Sequence, residues 1–498
     1  MKHFDVCVIG AGPSGFAAAM RAIDLGKSVA IIERGNIGGA GIYNGALSSK
    51  TLWELSQKYQ ITQDTNAGYT IFDSEVSFTS VMREVNKAVH CRHAQLKAQL
   101  DYFIRRDKIT YIKGSAHLLS ETQIEISAPD HSISTISAEK IVLAVGSRPR
   151  YLADIPIDEK TIVTSDGISS FQDFPESIVI LGAGVIGCEF ATIFSNFGQT
   201  KVYLIDKAPR ILPFEDEDIS RRVAQNLEQN GVHIHRGAAL KCMQIVNNKV
   251  EYTLCFDDGH EETRTVEKAL VSVGRVPNIE QLGLDKIGLE LSPRGHALDS
   301  DTQTSISNIY AVGDFTADIA LVNIAELEGR HAIEKMFNLS DHPLQYSNIS
   351  TIMFLNPEVG SVGMNEIEAR KKGISYKMAC LSYQYISRAI AMCDTNGYIK
   401  LLVSNDDEMR VLGLRVIGNH ASSTLEALAL MIQLKISVKE LAELIHPHPS
   451  ITEGIQECAR MLLGKSIIKP DVFNKDLKCY SVSKDGRIED LRFNLVEI

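Results

Sequence analysis

The sequence lacks several features that would assign it to other classes of protein. Its nine cysteines are scattered, with no CxxC spacing, so neither a zinc site nor a disulfide framework is indicated, and no metal is expected. Basic residues are in the minority, because 51 Lys and Arg stand against 62 Asp and Glu, a formal net charge of −11. This balance disfavours a nucleic-acid partner or an anionic membrane surface.

Long apolar runs, repeats and low-complexity segments are absent too. The longest apolar stretch, residues 178–194, is broken by three glycines and Glu189, so no membrane span is expected. The N-terminus enters an apolar run at once, without the basic segment and apolar core of a signal peptide. These absences, with cysteines typical of a reducing compartment, predict a cytoplasmic protein whose partner is a small molecule.

A βαβ pattern is present at the N-terminus. The apolar run at residues 6–9 predicts a buried parallel strand that ends at a Gly10-x-Gly12-x-x-Gly15 motif. A helix with an apolar face follows, and a second strand closes on Glu33, 18 residues after the third glycine. The first glycine allows a tight turn, the second lets backbone N–H groups approach a pyrophosphate, and the third lets helix and strand pack closely. Glu33 can then bind a ribose hydroxyl, so the unit predicts dinucleotide binding.

The same pattern begins again at Ser177. Gly182, Gly184 and Gly187 repeat the glycine spacing, and the next strand ends in Asp206, 19 residues after the third glycine. Two complete fingerprints in one chain are far more specific for dinucleotide binding than one.

The acid that ends the second unit affects the choice of nucleotide. Asp206 can hold both hydroxyls of an adenosine ribose and would repel a 2′-phosphate, which favours NADH over NADPH. Lys207 and Arg210 lie close to it in sequence, however, and two cations leave the choice open.

Further motifs resemble the class I pyridine nucleotide-disulfide oxidoreductases, with the dihydrolipoamide dehydrogenases nearest, over residues 1 to about 465. They are a Gly-Gly pair ending at Gly39, a Ser-Lys pair ending at Lys50, a strand through Ala116, turns at Gly146 and Gly274, and a strand that ends in Asp314. The resemblance implies an FAD site made by Gly10, Gly12, Gly15, Glu33, Gly39, Lys50, Ala116, Gly146 and Asp314. It implies an NAD site made by Gly182, Gly184, Gly187, Glu189, Asp206 and Gly274.

The resemblance also implies the fold and the assembly. We expect an α/β protein with two Rossmann-like dinucleotide-binding domains, for FAD and NAD, plus a C-terminal α+β dimerisation domain that makes a homodimer. The predicted boundaries are 1–148 and 273–343 for the two FAD-binding segments, 149–272 for the NAD(P)H-binding domain and 344–465 for the dimerisation domain. Residues 466–498 form a tail of unknown role, with one cysteine, Cys479.

One departure from the family motif affects the expected function. The family's redox-active disulfide joins two cysteines whose positions, aligned on the flanking Gly-Gly and Ser-Lys pairs, hold Gly41 and Ala46 here. Neither residue can form a thiolate or a mixed disulfide. We therefore expect a small gap above the flavin and electron transfer without a thiol intermediate.

Four catalytic residues are implied by the resemblance. Lys50 is expected beside the flavin N5, paired with Glu189. His448 and Glu453 lie in the sequence HPHPSITE, where a histidine oriented by a carboxylate would act as an acid-base at the partner subunit's flavin. An alternative is that His448 and Glu453 only hold a loop for dimer assembly.

Together these expectations predict an NAD(P)H oxidoreductase of the diaphorase type, in which NADH reduces FAD and the flavin reduces a non-disulfide, quinone-like acceptor. One alternative is a disulfide reductase of the dihydrolipoamide dehydrogenase type that uses other cysteines. Others are a soluble transhydrogenase, an oxidase, and a non-catalytic protein that binds FAD and NADH.

Overall fold

The structure is a computed structural model that describes residues 1–63, 74–317, 319–473 and 475–491. The helices of the described residues are α1 (Pro13–Asp24), α2 (Gly39–Ile42), α3 (Ala46–Thr62), α4 (Phe78–Ile104), α5 (Val185–Phe197), α6 (Glu217–Gln229), α7 (Val322–Met336), α8 (Glu366–Lys371), α9 (Ser387–Ala391), α10 (Glu426–Gln433), α11 (Val438–Glu443) and α12 (Thr452–Leu462).

The described residues also form 26 strands, given in two successive runs of 13. The first run is β1 (Lys2–Ile9), β2 (Val29–Glu33), β3 (Ile109–Lys113), β4 (Ser115–Leu118), β5 (Gln123–Ser127), β6 (Ile133–Leu143), β7 (Ser147–Pro149), β8 (Ile162–Val163), β9 (Ser177–Leu181), β10 (Lys201–Ile205), β11 (His233–His235), β12 (Ala238–Val246) and β13 (Lys249–Phe256). The second run is β14 (Glu261–Val266), β15 (Lys268–Val271), β16 (Arg275–Pro277), β17 (Asp299–Ser300), β18 (Gln303–Thr304), β19 (Ile309–Ala311), β20 (Ser350–Met353), β21 (Val359–Gly363), β22 (Tyr376–Ser382), β23 (Tyr398–Ser404), β24 (Val411–Ile417), β25 (Lys478–Val482) and β26 (Ile488–Asp490).

The chain divides into two compact units. The first comprises Met1–Gly182, Leu240–Cys255 and His260–Leu344, and the second comprises Ala183–Ala239, Phe256–Gly259 and Gln345–Ile498. Each unit has its own hydrophobic core. The domain boundaries given above remain predictions.

The first unit is built on a sheet whose central strands run in the order β19-β6-β1-β2-β3, with β17 and β18 beyond β19. Neighbouring strands of this centre are parallel, as the pairs Val6↔Val29 and Cys7↔Ile141 illustrate. Because both faces are covered, strand residues such as Val6 and Val8 are fully buried. The predicted Rossmann-like unit of strand, glycines, helix, strand and terminal acid is confirmed.

Helices α1 and α7 pack against each other on this sheet. A Cβ on Gly329 of α7 would lie 2.1 Å from the carbonyl oxygen of Ser14 in α1, so only glycine allows this close approach. The rest of the unit includes the parallel strands β8, β15 and β9 and the antiparallel pairs β7–β16 and β13–β14.

The second unit contains the parallel pair β10–β11 and a seven-stranded antiparallel sheet in the order β20-β21-β24-β23-β22-β25-β26. This sheet confirms the α+β character that was expected from about residue 344. Its core is made by one face of the sheet and by helices α10 to α12, with Leu401, Leu414 and Ile455 fully buried.

The C-terminal tail, whose structure was not predicted from the sequence, extends this sheet. Strand β25 pairs with the edge of β22, with Ala379 opposite Cys479, and β26 pairs with β25. Cys479 is buried in the core of the second unit. Residues 492–498 of the tail lie outside the described residues.

Candidate functional site

The first glycine motif forms a sharp turn between β1 and α1. Gly10 has φ +107°, and a Cβ there would lie 2.2 Å from the carbonyl oxygen of Ala144, so this position requires glycine. Gly12 caps α1 without a side-chain hydrogen bond, and a Cβ on it would meet nothing within 4 Å. The N-terminus of a 12-residue helix therefore opens into free space, which is the environment that binds a pyrophosphate.

The two strand-end acids occupy equivalent positions in the two fingerprints. Glu33 Oε2 accepts a hydrogen bond of 2.6 Å from the amide of Ala11, the residue between the first two glycines. Asp206 Oδ2 accepts a bond of 2.6 Å from Ala183, the equivalent residue of the second motif. Each acid thus orders its own glycine loop. Since a carboxylate oxygen has two lone pairs, the ribose role predicted for both acids is compatible with these bonds.

The second glycine motif repeats the geometry of the first. Gly182, which belongs to the first unit, has φ +103°, and a Cβ placed on it would lie 2.5 Å from the carbonyl oxygen of Ser272. In the second unit Gly184 caps α5 without a side-chain bond, and a Cβ on it would again meet nothing within 4 Å. The N-terminus of α5 can hold a second pyrophosphate for the same physical reason.

Asp314, a predicted residue of the FAD site, lies in the turn after β19. Its Oδ2 accepts a hydrogen bond of 2.6 Å from Ser147 Oγ. Arg275 Nε donates to the same Ser147 hydroxyl at 2.7 Å and lies 3.9 Å from Asp314. The turn itself is held by Glu328, a buried residue of α7 that accepts a bond of 2.6 Å from the amide of Gly313. Ser147, Arg275 and Glu328 were not predicted, although each lies next to or inside a motif that was recognised.

The predicted turns at Gly146 and Gly274 are brought together. They flank the antiparallel pair β7–β16, where Arg275 lies opposite Pro149. The amide of Arg150 donates to Gly274 O, and the amide of Asn278 donates to Gly146 O, both at 3.0 Å. Ala116 lies buried in β4, opposite Ile126 of β5.

The segment that was predicted to align with the family's redox motif lies against the first glycine loop. The amide of Gly38 donates to Ala11 O at 2.7 Å, and a Cβ on Gly39 would lie 3.2 Å from Cα of Gly12. At Gly41 a Cβ would lie 2.6 Å from Cγ of Pro13. The space that a side chain at position 41 would need is therefore already filled by the proline ring.

The predicted catalytic pair of Lys50 and Glu189 is divided between the units. Lys50 lies part-buried on α3, one helical turn after Ala46, with its Nζ 3.4 Å from Ser49 Oγ. Glu189 is buried in the first turns of α5 and accepts a hydrogen bond of 3.1 Å from the amide of Phe354 within the second unit. Their pairing at the flavin remains a prediction.

The histidine-carboxylate pair is formed. His448 Nδ1 lies 2.8 Å from Glu453 Oε1, and Glu453 Oε2 accepts a bond of 2.8 Å from the amide of Ser450. Partial burial raises the pKa of Glu453, but the hydrogen bonds from His448 and Ser450 outweigh it and place the pKa below its usual value. The carboxylate therefore stays ionised and orients an exposed imidazole ring.

A buried charge cluster, which the sequence did not predict, lies in the second unit. The Nζ of Lys400, a fully buried residue of β23, is 2.9 Å from both Asp216 and Asp218 and also contacts Glu366. Tyr480 of the tail strand β25 donates to Glu366 at 2.8 Å. The three carboxylates have the spacing of metal ligands, but the Lys400 ammonium lies among them and supplies the cation.

Among the helices of the described residues, none combines the length and the apolar character that a membrane span requires.

Comparison with known proteins agrees with this geometry. A family model described as pyridine nucleotide-disulphide oxidoreductase matches residues 4–329, and one described as the dimerisation domain of the same family matches residues 349–459. The dihydrolipoyl dehydrogenase of Staphylococcus aureus is 31% identical over 465 residues, which cover 93% of this chain and 97% of that protein. That of Bacillus subtilis is 30% identical over 475 residues, covering 93% and 99%.

Solved structures show the same fold. LpdA from Mycobacterium tuberculosis superimposes with a TM-score of 0.84 at 24% identity, covering 93% of this chain and 100% of that chain. RclA from Escherichia coli, described as an HOCl-induced flavoprotein disulfide reductase and solved as a Cu(II) complex, gives 0.82 at 25% identity with the same coverage. Members of the matched family are FAD-dependent enzymes that use NAD(H), and the matched dimerisation domain supports a homodimer. The chain therefore belongs to the pyridine nucleotide-disulphide oxidoreductase family of FAD-dependent enzymes.

Proposed function

We propose that this enzyme takes hydride from NADH onto its FAD and passes the electrons directly to a non-disulfide, quinone-like acceptor. The observation that carries the proposal is the pair Gly41 and Ala46 at the positions where the family's redox cysteines align. Without sulfur at either position, no thiolate can accept electrons there. When bound, FAD supplies the two-electron chemistry, and this chain's residues bind, orient and protonate.

The residues around the first glycine loop fit FAD. The open N-terminus of α1 at Gly12 suits a pyrophosphate, while Glu33 and Asp314 carry carboxylates suited to ribose and ribityl hydroxyls. Gly15, Gly39, Ala116 and Gly146 complete the FAD set proposed from the family resemblance, and Lys50 is its proposed catalytic cation.

The second glycine loop favours NADH over NADPH in this proposal. Asp206 places a negative charge where a 2′-phosphate would lie. Arg210, one of the two cations that could offset this charge, is committed to its own loop: Nη1 donates to Glu215 O at 2.7 Å and also to Ser220 Oγ, while Nη2 donates to Pro213 O at 2.9 Å. Gly187, Glu189 and Gly274 belong to the same proposed NAD set.

The acceptor in this proposal approaches on the side of Ala46. Pro13 fills the direction of a side chain at Gly41, so we place the gap for a flat ring beside the short side chain of Ala46. His448, oriented by Glu453, would supply a proton to the reduced acceptor in the dimer. A second nicotinamide nucleotide as the acceptor would make the enzyme a transhydrogenase.

The proposal also includes the domain boundaries, the assembly and the cellular location of the enzyme. Its domains follow the predicted boundaries, with FAD-binding segments 1–148 and 273–343, an NAD-binding domain 149–272 and a dimerisation domain 344–465. It acts as a homodimer on a small-molecule acceptor. Its cysteines suit the reducing cytoplasm, where we place it.

The first test is an anaerobic titration of the purified holoenzyme with NADH, followed by flavin absorbance. We expect about one equivalent to bleach the flavin fully, with no long-wavelength thiolate-to-flavin band, because the enzyme holds one two-electron centre. A need for about two equivalents, with such a band, would show that other cysteines form a redox pair and would support the disulfide-reductase alternative.

A flavin that is never bleached would favour the alternative of a protein that only binds its nucleotides. Parallel titrations with NADPH test the nucleotide preference, and Lys50→Met provides a catalytic control. We expect this variant to keep its flavin content and to lose most of its rate of reduction.

A further inference from the structure

A polar residue, His93, lies on the apolar side of helix α4. It is separated by three or four residues from Val89 and Leu96, which are buried with Leu100 in the hydrophobic core of the first unit. Buried polar atoms at such positions are usually bonded to other groups of the chain. The Nδ1 of His93 is buried but has no hydrogen-bond partner among the described residues.

The ring of Tyr43 packs edge-on against His93. The two ring centroids are 5.8 Å apart, at an interplanar angle of 73°, which is a favourable arrangement for aromatic rings. Tyr43 is part-buried against the same core, and within the part of the chain that the structure describes its hydroxyl forms no hydrogen bond. Burial raises the pKa of Tyr43, so the hydroxyl keeps its proton and can donate it to a ligand.

Two neighbouring polar groups without partners do not help the fold. A buried polar atom that gives up water and gains no hydrogen bond in return costs free energy. Such a cost is typical of functional sites, where a ligand supplies the missing partner. Tyr43 lies between Gly41 and Ala46 in the sequence. The two unpartnered groups therefore lie at the segment that carries the proposed gap for the acceptor.

We propose that Tyr43 and His93 bind the electron acceptor, and that this acceptor is a quinone. The inference rests on the proposed function, which places the acceptor beside Ala46. A quinone carries carbonyl oxygens on a flat ring, and its reduced form carries hydroxyl groups in their place. The Tyr43 hydroxyl can donate to the carbonyl and accept from the hydroxyl, and a neutral imidazole has one donor and one acceptor nitrogen. The two aromatic side chains also offer a surface for ring packing.

The test is the binding of 1,4-naphthoquinone to the oxidised, FAD-loaded protein, measured by titration calorimetry in the absence of NADH. We expect Tyr43→Phe to raise the dissociation constant about tenfold, the effect of one lost hydrogen bond. Tyr102→Phe is the matched control, because Tyr102 is an exposed tyrosine of α4. Its dissociation constant should equal that of the parent protein. Flavin content confirms that each variant is folded.

His93→Leu separates a binding role from a structural one. The substitution removes the unpartnered nitrogen and keeps an apolar side chain on the buried side of α4. We expect weaker quinone binding, by about tenfold, with a thermal midpoint no lower than that of the parent protein, because no hydrogen bond of the fold is lost. A lower midpoint with unchanged affinity would show that His93 serves the fold alone and would overturn the proposal.

Unchanged dissociation constants in both Tyr43→Phe and His93→Leu would also overturn it. Steady-state turnover with NADH separates this failure from failure of the proposed function. A parent protein that reduces the quinone, with a KM that neither substitution alters, would refute only the role of Tyr43 and His93. A parent protein that reduces no quinone would refute both proposals.

Discussion

A Cβ placed on Gly41 would lie 2.6 Å from Cγ of Pro13. Real side chains do not tolerate so short a carbon–carbon distance, so a residue larger than glycine at position 41 must displace the proline ring at the start of α1. The proposed loss of the family's redox cysteines would therefore involve the packing at position 41 as well as the residue type.

Cysteines introduced at positions 41 and 46 should not form a disulfide. We expect the G41C/A46C variant to keep its two new thiols reduced in air, because a side chain at position 41 must first displace the Pro13 ring before it can reach any disulfide geometry. Alkylation followed by mass spectrometry counts these thiols without reference to activity. Adding Pro13→Ala removes the obstructing Cγ, so the triple variant should oxidise. Complete oxidation of G41C/A46C with Pro13 in place would contradict this packing argument.

Lys400 should be essential for the stability of the second unit. Lys400→Met leaves the buried carboxylates of Asp216 and Glu366 and the part-buried carboxylate of Asp218 without their cation, a change that costs about 3–5 kcal/mol of unfolding free energy. The urea midpoint at neutral pH is the measurement. Lys377→Met, at a part-exposed position of the neighbouring strand β22, should lower the midpoint far less. An equal effect of the two substitutions would show that the cluster contributes nothing specific.

The same cluster predicts how stability depends on pH. Burial raises the pKa of Asp218, but the Lys400 charge and hydrogen bonds outweigh it and leave the pKa below its usual value. Asp218 therefore stabilises the fold above its unfolded-state pKa of about 3.9, and this contribution is lost as pH falls through the lower folded value. Burial lowers the pKa of Lys400, but the charges of Asp218, Glu366 and Asp216 raise it above its usual range.

Lys400 therefore contributes stability below its unfolded pKa of about 10.4 and loses that contribution only at higher pH. Urea midpoints measured across the acid range should fall steeply for the parent protein. They should fall less for Lys400→Met, in which Asp218 has no cation to favour its ionised form. If the urea midpoints of the two proteins fell equally with decreasing pH, carboxylates other than Asp218 would dominate the loss of stability in acid.

Glu453→Gln should impair the step in which the acceptor is protonated. The substitution replaces the acceptor of the 2.8 Å bond from His448 by a neutral amide, so the imidazole loses its fixed orientation and its partner charge. We expect turnover with a quinone to fall about 10-fold or more, while NADH bleaches the flavin at an unchanged rate. Stopped-flow measurement separates the two half-reactions.

Glu440→Gln, at an exposed position of α11, is the matched control for this substitution. It should leave both half-reactions unchanged. If Glu453→Gln instead weakens the dimer and leaves the protonation step intact, the histidine-carboxylate pair serves assembly alone.

The sequence by itself determined the local architecture. Gly10, Gly12 and Gly15 with Glu33 specify a strand-turn-helix-strand unit, because each residue acts on neighbours within one βαβ unit, and the structure has that unit where it was predicted. The same holds for the unit that ends in Asp206. The pair of His448 and Glu453 is five residues apart, close enough for a motif to specify.

Only the tertiary structure decided the contacts between distant segments. Lys400 and Asp216 are 184 residues apart, and a lone lysine in an apolar strand gives no local signal of three carboxylate partners. The tail strand β25 could pair with any free strand edge, and packing against the core of the second unit selected β22. The Pro13–Gly41 contact likewise depends on how two loops fold against each other, since long-range packing is not encoded in residue spacing.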